Sequence, residues 1–206
     1  MTNATPVRFL SALLVTAALA APAAAQKVVG TTGPVPAPKI LDITGLFQEK
    51  YASVGDDLFI GGQPTEKALR DLKAAGVTTV VNLRMPAEMA RIGFDEAALL
   101  KELGLTYVHI PLGGPDNPYA PAALDQFSKV MATAQGKVLL HCTVAWRASH
   151  MWGAYLIRER KMPVATALDQ VRSINLRDTA PFGNQQPIEG FLGRTLSELP
   201  RPKPQP

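Results

Sequence analysis

The chain has 206 residues, 21 Lys and Arg against 17 Asp and Glu, a net charge of +4, and one cysteine. That length suits one well-buried core, and the basic residues are scattered without a dense run or interleaved aromatics, which argues against a nucleic-acid partner. A single cysteine excludes an internal disulfide, so Cys142 is either a small buried hydrophobe or a reactive thiol.

Residues 1–25 read as a secretory signal peptide. Arg8 gives a weak positive start, Phe9 to Ala20 is an apolar run, and Ala23-Ala24-Ala25 offers a small-residue cleavage pattern with Gln26 as the new N-terminus. The run is short for a spanning helix, the alternative being an uncleaved anchor. With no lipobox cysteine and no twin arginine, the expected destination is periplasmic or secreted, with no stable membrane insertion after cleavage. Without Arg8 the basic count is 20 and the net charge +3. So mild a positive field suits a small anionic substrate but decides little.

Residues 26–40, with Pro34, Pro36 and Pro38, read as an extended tether, and residues 199–206 as a similar tail. The domain is expected over residues 41–198. Leu58–Ile60 predicts a short strand followed by a turn at Gly61-Gly62. Pro64 and Thr65 open a helix that stops at Gly76. The β-branched run Val77–Leu83 predicts a buried strand. The segment Phe94–Gly104 predicts a second helix, and Leu105–Leu112 another strand. Pro121 begins a third helix that presents Leu124, Phe127, Val130 and Met131 on one face and ends at Gly136. The apolar run before Cys142 predicts a further strand. Arg147–Glu159 predicts a helix with Ala148, Met151, Trp152, Tyr155 and Leu156 on one stripe, and Pro163 opens another. Residues 175–198 hold proline and glycine turns that predict no element. The alternation implies an α/β domain with a mainly parallel four- to five-stranded sheet and helices on both faces.

The chemistry concentrates in Val138–Ile157. A strand runs into Cys142, and Arg147 starts a helix five residues later, so the loop lies at the carboxyl end of a parallel strand, where ligands bind. The amides of Thr143, Val144, Ala145, Trp146 and Arg147 can curl around an anion, with the helix dipole behind them. That field favours a thiolate. Arg147 can grip two oxygens of a phosphate- or sulfate-like group. Together these make a nucleophile with an oxyanion clamp.

The loop His141-Cys142-Thr143-Val144-Ala145-Trp146-Arg147 resembles the active loop of cysteine-dependent phosphatases and rhodanese-like proteins. The upstream stretch from Phe59 to Arg84, with the Gly62-Gln63-Pro64 turn and the Val81–Arg84 strand end, resembles the opening of dual-specificity-like phosphatases. In that order, followed by Tyr107–Leu112 and then the loop, the pattern is similar to the bacterial beta-lactamase-hydrolase-like phosphatases within the protein tyrosine phosphatase superfamily. The resemblance implies that Cys142 attacks phosphorus and carries a phosphocysteine, while Arg147 and the loop amides hold the oxygens. It implies a small anionic or phosphoprotein substrate, possible phosphotyrosine included, and no cofactor. A loop acid would protonate the leaving oxygen, and Asp116 stands where the family's acid follows its strand; the same Pro-Asp-Asn-Pro sequence is also ordinary turn chemistry.

Three departures keep other readings open. The spacing is Cys-x4-Arg, not Cys-x5-Arg, which suits a rhodanese-type sulfurtransferase working through a persulfide. Ala145 stands where the family carries glycine, at a cost of ~1–2 kcal/mol if positive φ is needed. Ala148 replaces the Ser or Thr that eases thiolate departure, with Ser149 one place late. A non-catalytic anion- or phosphoprotein-binding module is the third reading. His141 either braces the loop or is a satisfied strand-end histidine. Trp146 either stacks on an aromatic leaving group or packs. Arg84 either extends a positive rim or pairs with a carboxylate. The three histidines, His109, His141 and His150, form no metal-ligand spacing and no Gly-rich nucleotide loop exists, so no metal is expected.

Overall fold

The computed structural model describes residues 1, 33–175 and 187–198. The segment read as a signal peptide and the tail from residue 199 lie outside the described residues. The core is an α/β sandwich around a six-stranded sheet in the order β1-β2-β3-β6-β4-β5. The strands are β1 Pro38–Ile40, β2 Tyr51–Val54, β3 Leu58–Gly61, β4 Val77–Asn82, β5 Thr106–His109 and β6 Lys137–His141. The last four in space, β3, β6, β4 and β5, are parallel; β1 and β2 add antiparallel strands at one edge. The expected four or five strands therefore become six. The extra pair was hidden because β1 starts at Pro38 in the proline-rich segment and β2, Tyr51-Ala52-Ser53-Val54, has small residues at its centre. β1 begins inside the segment read as tether, and Val35 packs on the core.

The helices follow local chemistry. In α1, Glu66–Ala74, the Thr65 hydroxyl accepts from the Ala68 N–H, and Gly76 at φ 94° takes the left-handed turn that follows. In α3, Glu96–Glu102, Asp95 plays the capping part toward Ala98 N–H. Between them α2, Pro86–Met89, is a single turn for which the sequence predicts nothing. Pro121 is the first residue of α4, Pro121–Thr133. α5, Trp146–Arg158, is buried from Trp146 through Ile157, so it lies inside the domain and not on its surface. α6, Val164–Arg172, and α7, Pro187–Leu192, pack around it; α7 falls in the stretch for which no element was expected.

Side-chain alternation divides the sheet into two cores. Val80 and Leu139 point to α1 and α3, where Leu69, Leu72, Leu99 and Leu100 close one layer. Val81, Val138 and Leu140 point to the face where Phe127, Met151, Trp152 and Phe191 fill the other. Helices thus cover both faces, as expected. The parallel strands bring Gly61, Asn82, His109 and His141 to one edge of the sheet in register. Cys142 is the next residue beyond β6.

Candidate active site

The loop from Cys142 to Arg147 is built between the end of β6 and the start of α5. Cys142 is 1% exposed, and its N–H donates to the Gly61 carbonyl at 3.3 Å, continuing the β3–β6 ladder. The chain then leaves the sheet. Ala145, the N-cap of α5, sits at φ 64°, ψ −2°, the left-handed conformation in which an alanine costs ~1–2 kcal/mol. The loop therefore takes the positive φ that a glycine would adopt freely, and the alanine bears the strain. No acceptor among the described residues takes the N–H groups of Thr143, Val144, Trp146 or Arg147. These donors stand at the positive end of α5, a 13-residue buried helix.

Neighbouring backbone fixes this loop. Gln63 N–H donates to the Thr143 carbonyl at 2.9 Å, and Gly62 bridges to Val144. On the other side the Asn175 amide donates to the Val144 carbonyl. The Gly62-Gln63-Pro64 turn thus acts as the brace of the cysteine loop, which gives a physical reason for its place in the sequence pattern.

Arg147 is 6% exposed and bound on most of its perimeter. Nη1 donates to the Leu83 carbonyl at 3.3 Å, the Leu112 carbonyl at 2.9 Å and Glu88 Oε2 at 2.7 Å. Nη2 donates to Glu88 Oε1 at 2.6 Å and Thr143 Oγ1 at 3.0 Å. The Thr143 hydroxyl in turn donates to Glu88 Oε1 at 2.7 Å. Burial alone would lower the Arg147 pKa, but the Glu88 hydrogen bonds and the charges of Cys142 and Glu88 raise it above its ordinary value. Burial alone would likewise raise the Glu88 carboxyl. Hydrogen bonds from Arg147, Thr143 and the Met85 N–H outweigh it and hold Glu88 at about 2. Glu88 is therefore ionised at every working pH and pins the guanidinium end-on through Nη1 and Nη2.

A second polar layer lies behind the loop. The fully buried Glu96 carboxylate accepts from Gln63 Nε2 at 2.7 Å and Asn82 Nδ2 at 2.8 Å, and faces His141 Nε2 at 3.1 Å. Desolvation pushes the Glu96 carboxyl up, but His141, Gln63 and Asn82 bring it below the usual carboxylate range. His141 is thus tied through Nε2 to a buried acid and makes no side-chain hydrogen bond to the loop among the described residues. Arg84 is 6% exposed; its Nη1 donates to Gln63 Oε1 at 2.6 Å and Nη2 to the Glu88 carbonyl at 3.1 Å. Neither partner is a carboxylate, contrary to the pairing alternative.

The remaining expected residues divide. Trp146 is 4% exposed, edge-on to Tyr119 and tilted over His150 at 4.3 Å between centroids, so its ring packs and does not reach out to a leaving group. Ser149 Oγ donates to the Ala145 carbonyl at 2.8 Å, so it steadies the strained residue and does not replace the missing hydroxyl after Arg147. Asp116 is exposed in the loop that leaves Leu112, and no hydrogen bond joins it to Cys142 or Arg147. That loop is closed by Gly113 N–H to the Asn117 carbonyl at 2.8 Å, and starts at the carbonyl that holds Arg147. Among the described residues no group of three His, Cys, Asp or Glu could hold a metal ion.

His150, 2% exposed on α5, makes one prediction in passing. Burial outweighs its hydrogen bond to the Trp146 carbonyl and lowers its pKa from 6.5 to about 4. The unfolded chain then binds the extra proton first. The stability this neutral histidine protects is complete above pH 6.5 and is lost as pH falls toward 4, by about 3 kcal/mol in all. Urea midpoints should fall between pH 6.5 and 4.5 in the wild type and much less in His150→Gln; equal slopes would contradict the assignment.

A buried cysteine at the end of a central parallel strand, a ring of free amides and an arginine opening the next helix define a cysteine-dependent phosphatase domain of the tyrosine-phosphatase type. The family is specific: a model described as PTP-NADK, "DSP-PTPase phosphatase fused to NAD+ Kinase", matches residues 48–186, more than half of the chain, and the chain belongs to that family. It is 28% identical over 115 residues to the beta-lactamase hydrolase-like protein of Xylella fastidiosa (strain Temecula1), a match covering 55% of this chain and 26% of that protein. The chain thus corresponds to about a quarter of the length of that relative. Its fold resembles PTPMT1 (TM-score 0.54, 19% identity, 68% of this chain and 90% of that one). It also resembles TpbA of P. aeruginosa (TM-score 0.53, 16% identity, 78% and 92%).

Proposed function

We propose that this protein is an exported phosphatase that hydrolyses phosphate monoesters, protein phosphotyrosine among them, through a phosphocysteine. The observation that carries this reading is the set of free loop N–H groups around Cys142, closed by an arginine that Glu88 and two carbonyls lock in place. In the first step the Cys142 thiolate attacks phosphorus and the S–P bond forms as the P–O ester bond breaks. Asp116, carried on the loop that starts at Leu112, gives its proton to the leaving oxygen. Arg147 Nε and the loop amides hold the equatorial oxygens, where charge is greatest in the transition state. In the second step water attacks the phosphocysteine, the Asp116 carboxylate takes its proton, and the S–P bond breaks to return the thiolate. With Ser149 committed to the Ala145 carbonyl, no hydroxyl from α5 assists that departure, so the second step is the slower one.

Export rests on the apolar run from Phe9 to Ala20 and the alanines after it. No helix among the described residues is long and apolar enough to cross a membrane. Purified protein is expected to release phosphate from an aryl phosphate above a Cys142→Ser blank. The short Cys-x4-Arg loop also favours sulfur transfer as a second reading, so thiosulfate is the paired substrate. Wild type that matches the blank on the ester but forms a persulfide from thiosulfate would replace phosphorus by sulfur.

A further inference from the structure

Beside the cysteine loop lies a groove of about 720 Å³ whose floor is Gln63 and Arg84 and whose walls carry Lys67, Arg91 and Phe94. It shares its floor with the site: Gln63 braces Thr143 through its N–H, and Arg84 touches the main chain of Glu88, the residue that pins Arg147. Arg84 is the informative member. It is nine-tenths buried, its Nη donors rest on two neutral oxygens, and its Nε has no partner. A buried guanidinium is costly without an anion on it. Glu88 and Glu96 act on it only through space, and the Arg147 charge acts against it. Burial lowers its pKa for the same reason. Arg91 is exposed on the same wall and makes no ion pair among the described residues, while Lys67 meets only the exposed Asp71, at 2.6 Å. The one acid among the lining residues is Glu66. The groove therefore sets two exposed cations around a buried, partly unsatisfied third, next to the cysteine loop.

We propose that this groove binds a second anionic group of the substrate, so that the protein prefers phosphate esters bearing another phosphate over simple monoesters. The proposal deepens the phosphatase reading and rests on it. Gln63 joins the groove to the cysteine loop through its N–H to the Thr143 carbonyl, and Arg84, Lys67 and Arg91 supply charge complementary to a second phosphate of a molecule bound at Cys142.

Binding of inorganic phosphate and of tripolyphosphate, measured by calorimetry on the full chain at fixed ionic strength, tests it. Wild type is expected to bind tripolyphosphate at least roughly tenfold more tightly than phosphate. Lys67→Ala/Arg91→Ala, which changes only exposed side chains, is expected to erase that ratio while its circular dichroism stays that of wild type. Equal affinities in wild type, or a ratio that survives the double substitution, would overturn the groove. Failure of the phosphatase reading shows separately, as no Cys142-dependent phosphate release from an aryl phosphate.

Discussion

Arg147→Lys is expected to lower kcat/KM for an aryl phosphate by roughly 10²–10³-fold, the loss typical of removing a preorganised donor from a developing oxyanion. The charge survives this substitution, so charge alone is not what fails. The guanidinium reaches the Leu83 and Leu112 carbonyls, both oxygens of Glu88 and the Thr143 hydroxyl through Nη1 and Nη2. An ammonium has three donors around a point and cannot satisfy that set while still facing an anion. The two carbonyls lie at the ends of β4 and of the segment after β5, so the variant also loosens the link between α5 and the sheet edge. We expect a stability loss of about 2 kcal/mol with it. Steady-state kinetics beside urea unfolding separates the two effects. A kcat/KM within a factor of two of wild type would show that Arg147 is a structural strut and not a substrate ligand.

Gly62→Ala is expected to destabilise the domain by about 3 kcal/mol or more. A Cβ on Gly62 would stand 1.8 Å from the Gln48 carbonyl oxygen and 2.8 Å from that of Thr143. Both obstacles are main chain, so no rotamer change relieves them. The Gln48 N–H is itself tied to the Gln63 carbonyl at 3.0 Å, and Gln63 N–H to Thr143, so the turn cannot retreat without releasing the cysteine loop. Activity should therefore fall more than the population of folded protein does. An unchanged unfolding midpoint would mean that the turn is not the brace described here.

How much of this could be read from the chain depended on distance along it. Cys142, Arg147 and the helix behind them are consecutive, so strand, loop and helix signals fall in one window and give the anion site directly. The positive φ of Ala145 was foreseeable because it concerns one residue's own backbone. Glu88 was not, because it sits on a single turn with no periodicity and meets Arg147 across 59 residues. Glu96 reads as an ordinary acid in the first turn of a helix. Only the fold brings it to Gln63, Asn82 and His141, at separations of 33, 14 and 45 residues. For Trp146 the sequence left stacking on a leaving group and packing both open, and the fold decides for packing. A tryptophan in a catalytic loop looks like a binding surface, but the left-handed Ala145 turns it inward against Tyr119 and His150. Strands β1 and β2 were lost because β1 starts at Pro38 inside the proline-rich segment and β2 carries Ala52 and Ser53 at its centre, residues weak in strand propensity.

The structure also reframes the departures in the loop. Ala145 takes the left-handed conformation that glycine would take freely, so the alanine makes that backbone more expensive. The shorter spacing leaves four amides with no acceptor among the described residues, an arginine held by an acid, and a buried sulfur at the start of the loop. What that sulfur attacks is the central claim, and a chemical trap reads it most directly. The reaction with an aryl phosphate, quenched in acid during the first turnover, should yield a Cys142 peptide carrying one phosphoryl group by mass spectrometry, because the unassisted second step lets it accumulate. A Cys142 peptide that stays unmodified under these conditions, and gains a sulfur atom from thiosulfate instead, would contradict the account.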